Sequence, residues 1–238
     1  MGRAHEVRAA SMAKTAARKS KLYSIYAKEI YQAAKGNPDP VNNLQLRRII
    51  EKAKRDDVPA DVINRNIDKV KKGVTEDYVT CEYEAFGPGS SNLIIKCLTD
   101  NSNRTISELK TVFNKCGAKM ATPNAVSFMY EHLSVIGVKG LDEETIMDSL
   151  INNNVDINDI EVENDMTLIY AAPQDLNNMK TALESVKNDI VFDVDEISYF
   201  PKDTVQLDEE QMAKFQKLLT MLDDLDDVSN VYHNVKMN

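Results

Sequence analysis

Val79-Thr80-Cys81-Glu82-Tyr83-Glu84-Ala85-Phe86-Gly87-Pro88-Gly89 is the stretch at which the chain changes its period. Val79, Cys81, Tyr83 and Ala85 alternate with Thr80, Glu82 and Glu84, the repeat of two that gives a strand one buried face. Gly87-Pro88-Gly89 supplies a turn and predicts a second strand over 93–98, so the two runs read as a hairpin. Upstream the apolar period is near 3.6. The switch therefore divides a helical front from a sheet-bearing remainder.

Working towards the N-terminus, Leu22, Tyr23, Tyr26, Ala27, Ile30, Tyr31 and Ala34 recur at helical spacing, and the helix should stop near Gly36 and Pro38. Lys21, Lys28 and Lys35 lie about two turns apart on a different face. A second helix after Pro40 would bury Leu46, Ile49, Ile50 and Ala53 and point Arg47, Arg48, Lys52, Lys54 and Arg55 elsewhere. Pro59 suits the first turn of a third helix with Val62, Ile63, Ile67 and Val70 as its stripe, closed by Lys71, Lys72 and Gly73. The result is a three-helix unit with a basic coat.

Towards the C-terminus, the loop Asp100-Asn101-Ser102-Asn103-Arg104 precedes a helix in which Thr105 and Glu108 can form a capping box, and Ile106, Leu109, Val112, Phe113 and Cys116 are the buried stripe. A strand over 125–130 follows. From 132 to 200 the order reads strand, helix, strand, strand, helix, strand, the split βαβ arrangement. After Pro201 come a strand, a helix capped by Asp208 and a last strand over 228–232. These last elements lack a complete sheet of their own, so they are expected to complete the sheet begun at 78–130. The fold class is α+β and multidomain: a basic arm and three-helix domain at 1–75, a discontinuous α+β domain at 76–131 and 201–238, and an α+β domain at 132–200 inserted in it.

Charge follows the same division. Residues 1–72 hold 17 Lys and Arg against 8 Asp and Glu, leaving 12 basic and 30 acidic residues for 73–238, so the net charge of −9 sums two opposed fields. Only the first suits a phosphate backbone, because Lys and Arg release counterions from a polyanion and carboxylates repel it. The 132–200 segment, with 15 acidic and 3 basic residues, is a poor phosphate binder. The opening 22 residues are basic and Ala-rich like a transit peptide; a basic arm is favoured, since the character continues through Lys28, Lys35, Arg47 and Arg48. No apolar run approaches the ~20 residues of a membrane helix, so a soluble, cytoplasmic protein is expected. Cys81, Cys97 and Cys116 lack a CxxC pair, and the three histidines are scattered. Neither a zinc site nor a disulfide framework is indicated, and a reducing compartment fits.

Five blocks carry a family resemblance: Gly2-Arg3-Ala4-His5-Glu6-Val7-Arg8, Tyr83-Glu84-Ala85-Phe86-Gly87-Pro88-Gly89, Thr99-Asp100-Asn101-Ser102-Asn103-Arg104-Thr105, Val126-Ser127-Phe128-Met129-Tyr130 and Leu225-Asp226-Asp227-Val228-Ser229-Asn230-Val231-Tyr232-His233-Asn234. In this order they resemble the YebC family, and the opening resembles its YeeN branch. The resemblance implies a helical N-terminal domain and two ferredoxin-like α+β domains, the third inserted in the second. It also implies a probable transcriptional regulator that binds DNA. Some members act instead in translation, including a mitochondrial activator of cytochrome oxidase subunit synthesis and bacterial members linked to ribosomes paused at proline runs. No enzymatic activity is implied. Two departures stand out: Ser90 replaces the second glycine of the usual Gly-Pro-Gly-Gly turn, and the opening differs from the Gly-His-Ser-Lys-Trp start of the main branch.

The candidate nucleic-acid contacts are therefore Arg3, His5, Arg8, Lys14, Arg18, Lys19, Lys21 and Lys28 of the arm and first helix, and Arg47, Arg48, Lys52, Lys54 and Arg55 of the second. Asn101 and Arg104 join them from a polar loop before a helix, where amides and Arg can hold an anion, though the same residues can simply satisfy turn and cap bonds. Asp223, Asp224, Asp226 and Asp227 resemble a cation site, but lack the glycine and terminal Glu of an EF-hand and read as a solvated helix end. No nucleophile motif, phosphate loop or metal-ligand spacing is present. The expectation is a monomeric, non-enzymatic regulator without cofactor, with DNA or ribosomal or transfer RNA, or the ribosome, as partner and no membrane. A protein adaptor acting through the acidic segment is a third possibility.

Overall fold

A computed structural model describes residues 16–237 of the chain, with side chains from residue 19 onward. The elements are α1 (Ala16–Ala34), α2 (Leu44–Arg55), α3 (Ala60–Lys71), β1 (Val79–Phe86), β2 (Asn92–Thr99), α4 (Ser102–Cys116), β3 (Lys119–Met120), β4 (Tyr130–Lys139), α5 (Glu143–Asn152), β5 (Ile157–Glu163), β6 (Met166–Ala171), α6 (Leu176–Val186), β7 (Phe192–Pro201), α7 (Glu209–Asp223) and β8 (Val228–His233). They form an α+β protein with seven helices and two four-stranded antiparallel sheets among the described residues. The chain divides into two compact units, one at 128–203 and one made of the described residues up to 127 together with 204–237.

In the larger unit, α1, α2 and α3 enclose a core built on Tyr26, Ile30, Ala34, Leu46, Ala53, Ile63 and Ile67, the stripes that helical spacing predicts. The tyrosines of α1 bury their rings and spend their hydroxyls on the connections. Tyr26 Oη donates to Asp56 Oδ2 at 2.6 Å, and Tyr31 Oη donates to the Val74 carbonyl at 2.6 Å while accepting from Glu76 N at 2.7 Å. Burial together with Asp56 pushes the Tyr26 phenol well above its usual range.

The sheet of the same unit has the order β3-β1-β2-β8, so its fourth strand comes from the far end of the chain. Ala85, Leu93, Ile95 and Cys97 on one sheet face pack with Leu109, Val112 and Phe113 of α4 and Phe215, Leu218 and Leu222 of α7. Helix α4 begins earlier than the Thr105–Glu108 box predicts. Asn101 is its N-cap, accepting from Arg104 N, because the Asn side chain three residues upstream reaches that amide first. The expected strand at 125–130 is absent: residues 127–129 form a 3-10 turn and β4 starts at Tyr130. The Glu84 carboxylate explains this, since it accepts from the amides of Asn124, Val126 and Ser127 and turns the segment away from a ladder. The strand expected after Pro201 is reduced to one parallel bridge, Val205 with Val235.

In the smaller unit the order β5-β6-β4-β7, with helices following β4 and β6, is the split βαβ arrangement. Ile136, Val138 and Ile169 pack against Ile146 and Leu150 of α5 and Met179 and Leu183 of α6. The opposite sheet face is also apolar, with Leu133, Val135, Leu168, Tyr170, Val194 and Phe200 buried together. Lys180 and Asp195 form an ion pair buried on both sides, with the Lys180 ammonium 4.9 Å from the Phe192 ring centroid.

Candidate nucleic-acid interface

Cations on a helix can meet phosphate only where the fold leaves them facing solvent, so each candidate has to be placed individually. Arg3, His5, Arg8 and Lys14 lie outside the described residues. So does the side chain of Arg18, while Lys19 is exposed at the start of α1.

Lys21 and Lys28 are already engaged within the larger unit. Lys21 Nζ donates to the Asp223 carbonyl and lies 3.3 Å from its Oδ1. Burial pulls its pKa below the ordinary lysine value, with Asp223 opposing. Lys28 Nζ donates to the Leu98 carbonyl at 3.0 Å, the Asp226 carbonyl at 3.2 Å and Asp227 Oδ1 at 3.2 Å. The lysine side chains are only 17% and 15% exposed. Two turns of helix put both on the face of α1 that meets the 223–227 segment, so the acidic run is a solvated helix end only at the exposed Asp224 and Asp226. It receives the protein's own cations. Lys35, the third of the series, pairs with Asp77 at the surface.

Asp227 is the centre of this network. Its carboxylate, 4% exposed, accepts from Thr99 Oγ1 at 2.9 Å, Thr105 Oγ1 at 2.9 Å and Arg104 Nη2 at 2.7 Å, besides Lys28. Burial pushes the Asp227 carboxyl up, but the bonds from Arg104, Thr99, Thr105 and Lys28 outweigh it and hold the group below its usual value. Arg104 also reaches Asp100 Oδ1 at 2.8 Å. Asn101 caps α4, and Arg104 divides its guanidinium between two carboxylates, so this loop joins blocks 99–105 and 225–234 through the chain's own ion pairs.

On α2 the five candidates separate. Arg47 is exposed and Arg48 is 8% exposed, because one residue is about 100° of helix rotation. Lys52 is half-buried and lies near Glu29, whose carboxyl burial pushes up and Lys52 pulls back. Lys54 and Arg55 are exposed, and Arg47 and Lys54, seven residues apart, share a face. Arg65 on α3 and Lys72 at its C-cap repeat that spacing and are exposed. They line a shallow groove of about 460 Å³ with Asp61, Asn64, Asp68, Lys69 and Val74. Arg65 was missed by sequence reasoning, although its i,i+7 relation to Lys72 was visible. Besides Lys19 on α1 and Lys35 just past its end, the solvent-facing cations of the N-terminal helices thus stand on α2 and on α3 with its C-cap.

Among the described residues, no group of three or more His, Cys, Asp or Glu is placed to hold a metal ion. None of the described helices is long and apolar enough to cross a membrane.

Two family profiles match the chain. One described as the TACO1/YebC protein N-terminal domain covers residues 3–73, and one described as the TACO1/YebC second and third domain covers 78–235. A probable transcriptional regulatory protein of Pseudoalteromonas translucida (strain TAC 125) is 49% identical over 98% of each chain. One of the same description from Vibrio vulnificus (strain YJ016) is 49% identical over 100% of each. The crystal structure of a conserved hypothetical protein from Aquifex aeolicus superposes with a TM-score of 0.73 at 33% identity, covering 94% of this chain and 93% of that one.

Proposed function

The chain belongs to the TACO1/YebC family, and from that premise we propose that it is a non-enzymatic, nucleic-acid-binding regulator of gene expression that docks through its N-terminal helices. The carrying observation is the opposition of 17 basic to 8 acidic residues in 1–72 against 12 to 30 in the remainder, with Arg47, Lys54, Arg65 and Lys72 facing solvent. Cations so exposed lose little on desolvation when a phosphate approaches, and each releases a counterion. The arm residues Arg3, Arg8, Lys14 and Arg18 belong to the same basic segment and extend the proposed contact.

Duplex DNA is the first ligand in this reading, because the similar proteins from Pseudoalteromonas and Vibrio carry transcriptional names. The test is the affinity of the full chain for duplex DNA and for single-stranded RNA across a salt series. Four phosphate contacts give a log-log slope of about −3.6 on the duplex and about −2.8 on a single strand. Tighter binding to the duplex supports action at transcription. Preference for RNA, with comigration on ribosomal particles, moves the function to translation. Affinity indifferent to salt overturns the docking proposal itself.

A further inference from the structure

Cys81 of β1 stands directly opposite Cys97 of β2 in the hairpin register. Both are free thiols. The surrounding hydrogen bonds fix what kind of pair this is. Glu84 O accepts from Ala121 N on the outer side of β1, and Gly87 N donates to Ser91 O across the turn. Alternate residues of β1, Cys81 among them, therefore aim their backbone at β2. On β2, Leu98 N donates to Asp227 O on the opposite side, so Cys97 aims its backbone at β1. The two cysteines form a hydrogen-bonded cross-strand pair with side chains on one sheet face and Cα atoms about 5.5 Å apart, inside the span of a disulfide. Their Cβ atoms start at about 5 Å, beyond the usual disulfide separation. Closure draws the strands together and leaves a strained, easily reduced bond.

We propose that Cys81 and Cys97 are a reversible thiol pair that closes across the hairpin on meeting a small-molecule disulfide such as oxidised glutathione. Cys81 is partly exposed while Cys97 is buried, so Cys81 reacts first. Its thiolate displaces one glutathione and forms a mixed disulfide. The Cys97 thiolate then attacks the Cys81 sulfur and displaces the second glutathione. The protein loses two protons and two electrons, and one glutathione disulfide becomes two thiols. Burial, then the charge of Asp227, pushes the Cys97 thiol up to about 12, which makes the second step the slow one. Cys116 is the internal control: it is buried in α4 with its Sγ 3.6 Å from Met221 Sδ.

The test treats the full chain with oxidised glutathione in native buffer, blocks remaining thiols by alkylation, and reads intact mass and linked peptides. The expected result is a product lighter by two hydrogens, with a Cys81–Cys97 linkage that reduced glutathione reverses. The Cys116→Ser variant gives the same product, and Cys81→Ser and Cys97→Ala do not. Should Cys97→Ala fail to fold by circular dichroism, peptide mapping of the unsubstituted chain and Cys116→Ser carries the decision. A glutathione adduct on Cys81 as the end state, a linkage involving Cys116, or no linkage under native conditions overturns the proposal.

Discussion

Asp227 concentrates more of the larger unit's cohesion than any other single carboxylate described above. Removing its charge while keeping its shape, as in Asp227→Asn, leaves Lys28 and Arg104 without their shared counter-charge and is expected to cost about 3 kcal/mol, read as a lower midpoint in urea. The group's folded pKa lies below its unfolded value near 3.8, so its stabilisation is full above that value and is lost as pH falls through the folded pKa. His233 behaves differently. Its ring, edge-on to Phe215 at 5.1 Å, is pushed below 6.5 by burial, with Nδ1 accepting from Val235 N at 3.3 Å. A base with a depressed pKa favours the unfolded state once protons bind, so the folded chain has its full stability above about pH 6.5 and loses part of it as pH falls towards the folded pKa. Melting temperature followed over that range should slope downward for the unsubstituted chain, and the slope should flatten in His233→Gln. None of this was legible beforehand. The Asp run looks like a solvated end in sequence because its partners, Lys28 and Arg104, lie 199 and 123 residues away.

Among elements, the Gly87-Pro88-Gly89 turn shows how tightly the hairpin fits its neighbour. Gly89 has φ +65°, and a Cβ there would lie 2.6 Å from Gln211 Oε1 and 2.9 Å from Leu207 Cδ2. Gln211 is half of the capping box that opens α7 with Asp208. Gly89→Ala therefore strains a left-handed residue and disturbs a helix cap at once, with an expected loss of roughly 2–3 kcal/mol in chemical denaturation; Ser90→Gly, beside it, is the control. The turn and hairpin were readable because their period and punctuation are local. The helices were readable for the same reason, since α1, α2 and α3 carry unbroken apolar stripes. The strand expected at 125–130 failed because its backbone amides are claimed by the Glu84 carboxylate, a non-local partner that alternation does not encode.

At the scale of the whole molecule, the N-terminal charge splits into two populations. One is internal: Lys21 and Lys28 hold α1 to the C-terminal end of α7, the turn after it and β2. The other, mostly on α2 and α3 with Lys19 on α1 and Lys35 just past its end, faces solvent. These make opposite forecasts. Arg47→Gln with Lys54→Gln should reduce the salt slope on duplex DNA by about 1.8, two contacts' worth, with little change in melting temperature. Lys21→Gln with Lys28→Gln should lower the melting temperature and leave the slope nearly as it was. A slope that responds instead to Lys21 and Lys28 would mean that the 223–227 segment releases them to phosphate. Composition revealed the charge asymmetry in full, but exposure depends on helix phase and on distant carboxylates, so the division within it needed the fold.

Because β8 and Asp227 follow β2 only after the whole 128–203 unit, the sheet begun by β1 and β2 stays incomplete until that later stretch has been made. The 128–203 unit, whose strands are contiguous, is free to assemble while the nascent chain still grows. During that interval Lys21 and Lys28 have no carboxylate to sit against. Completion of the sheet is thus tied to an electrostatic step, in which an acidic segment captures lysines made almost 200 residues before it.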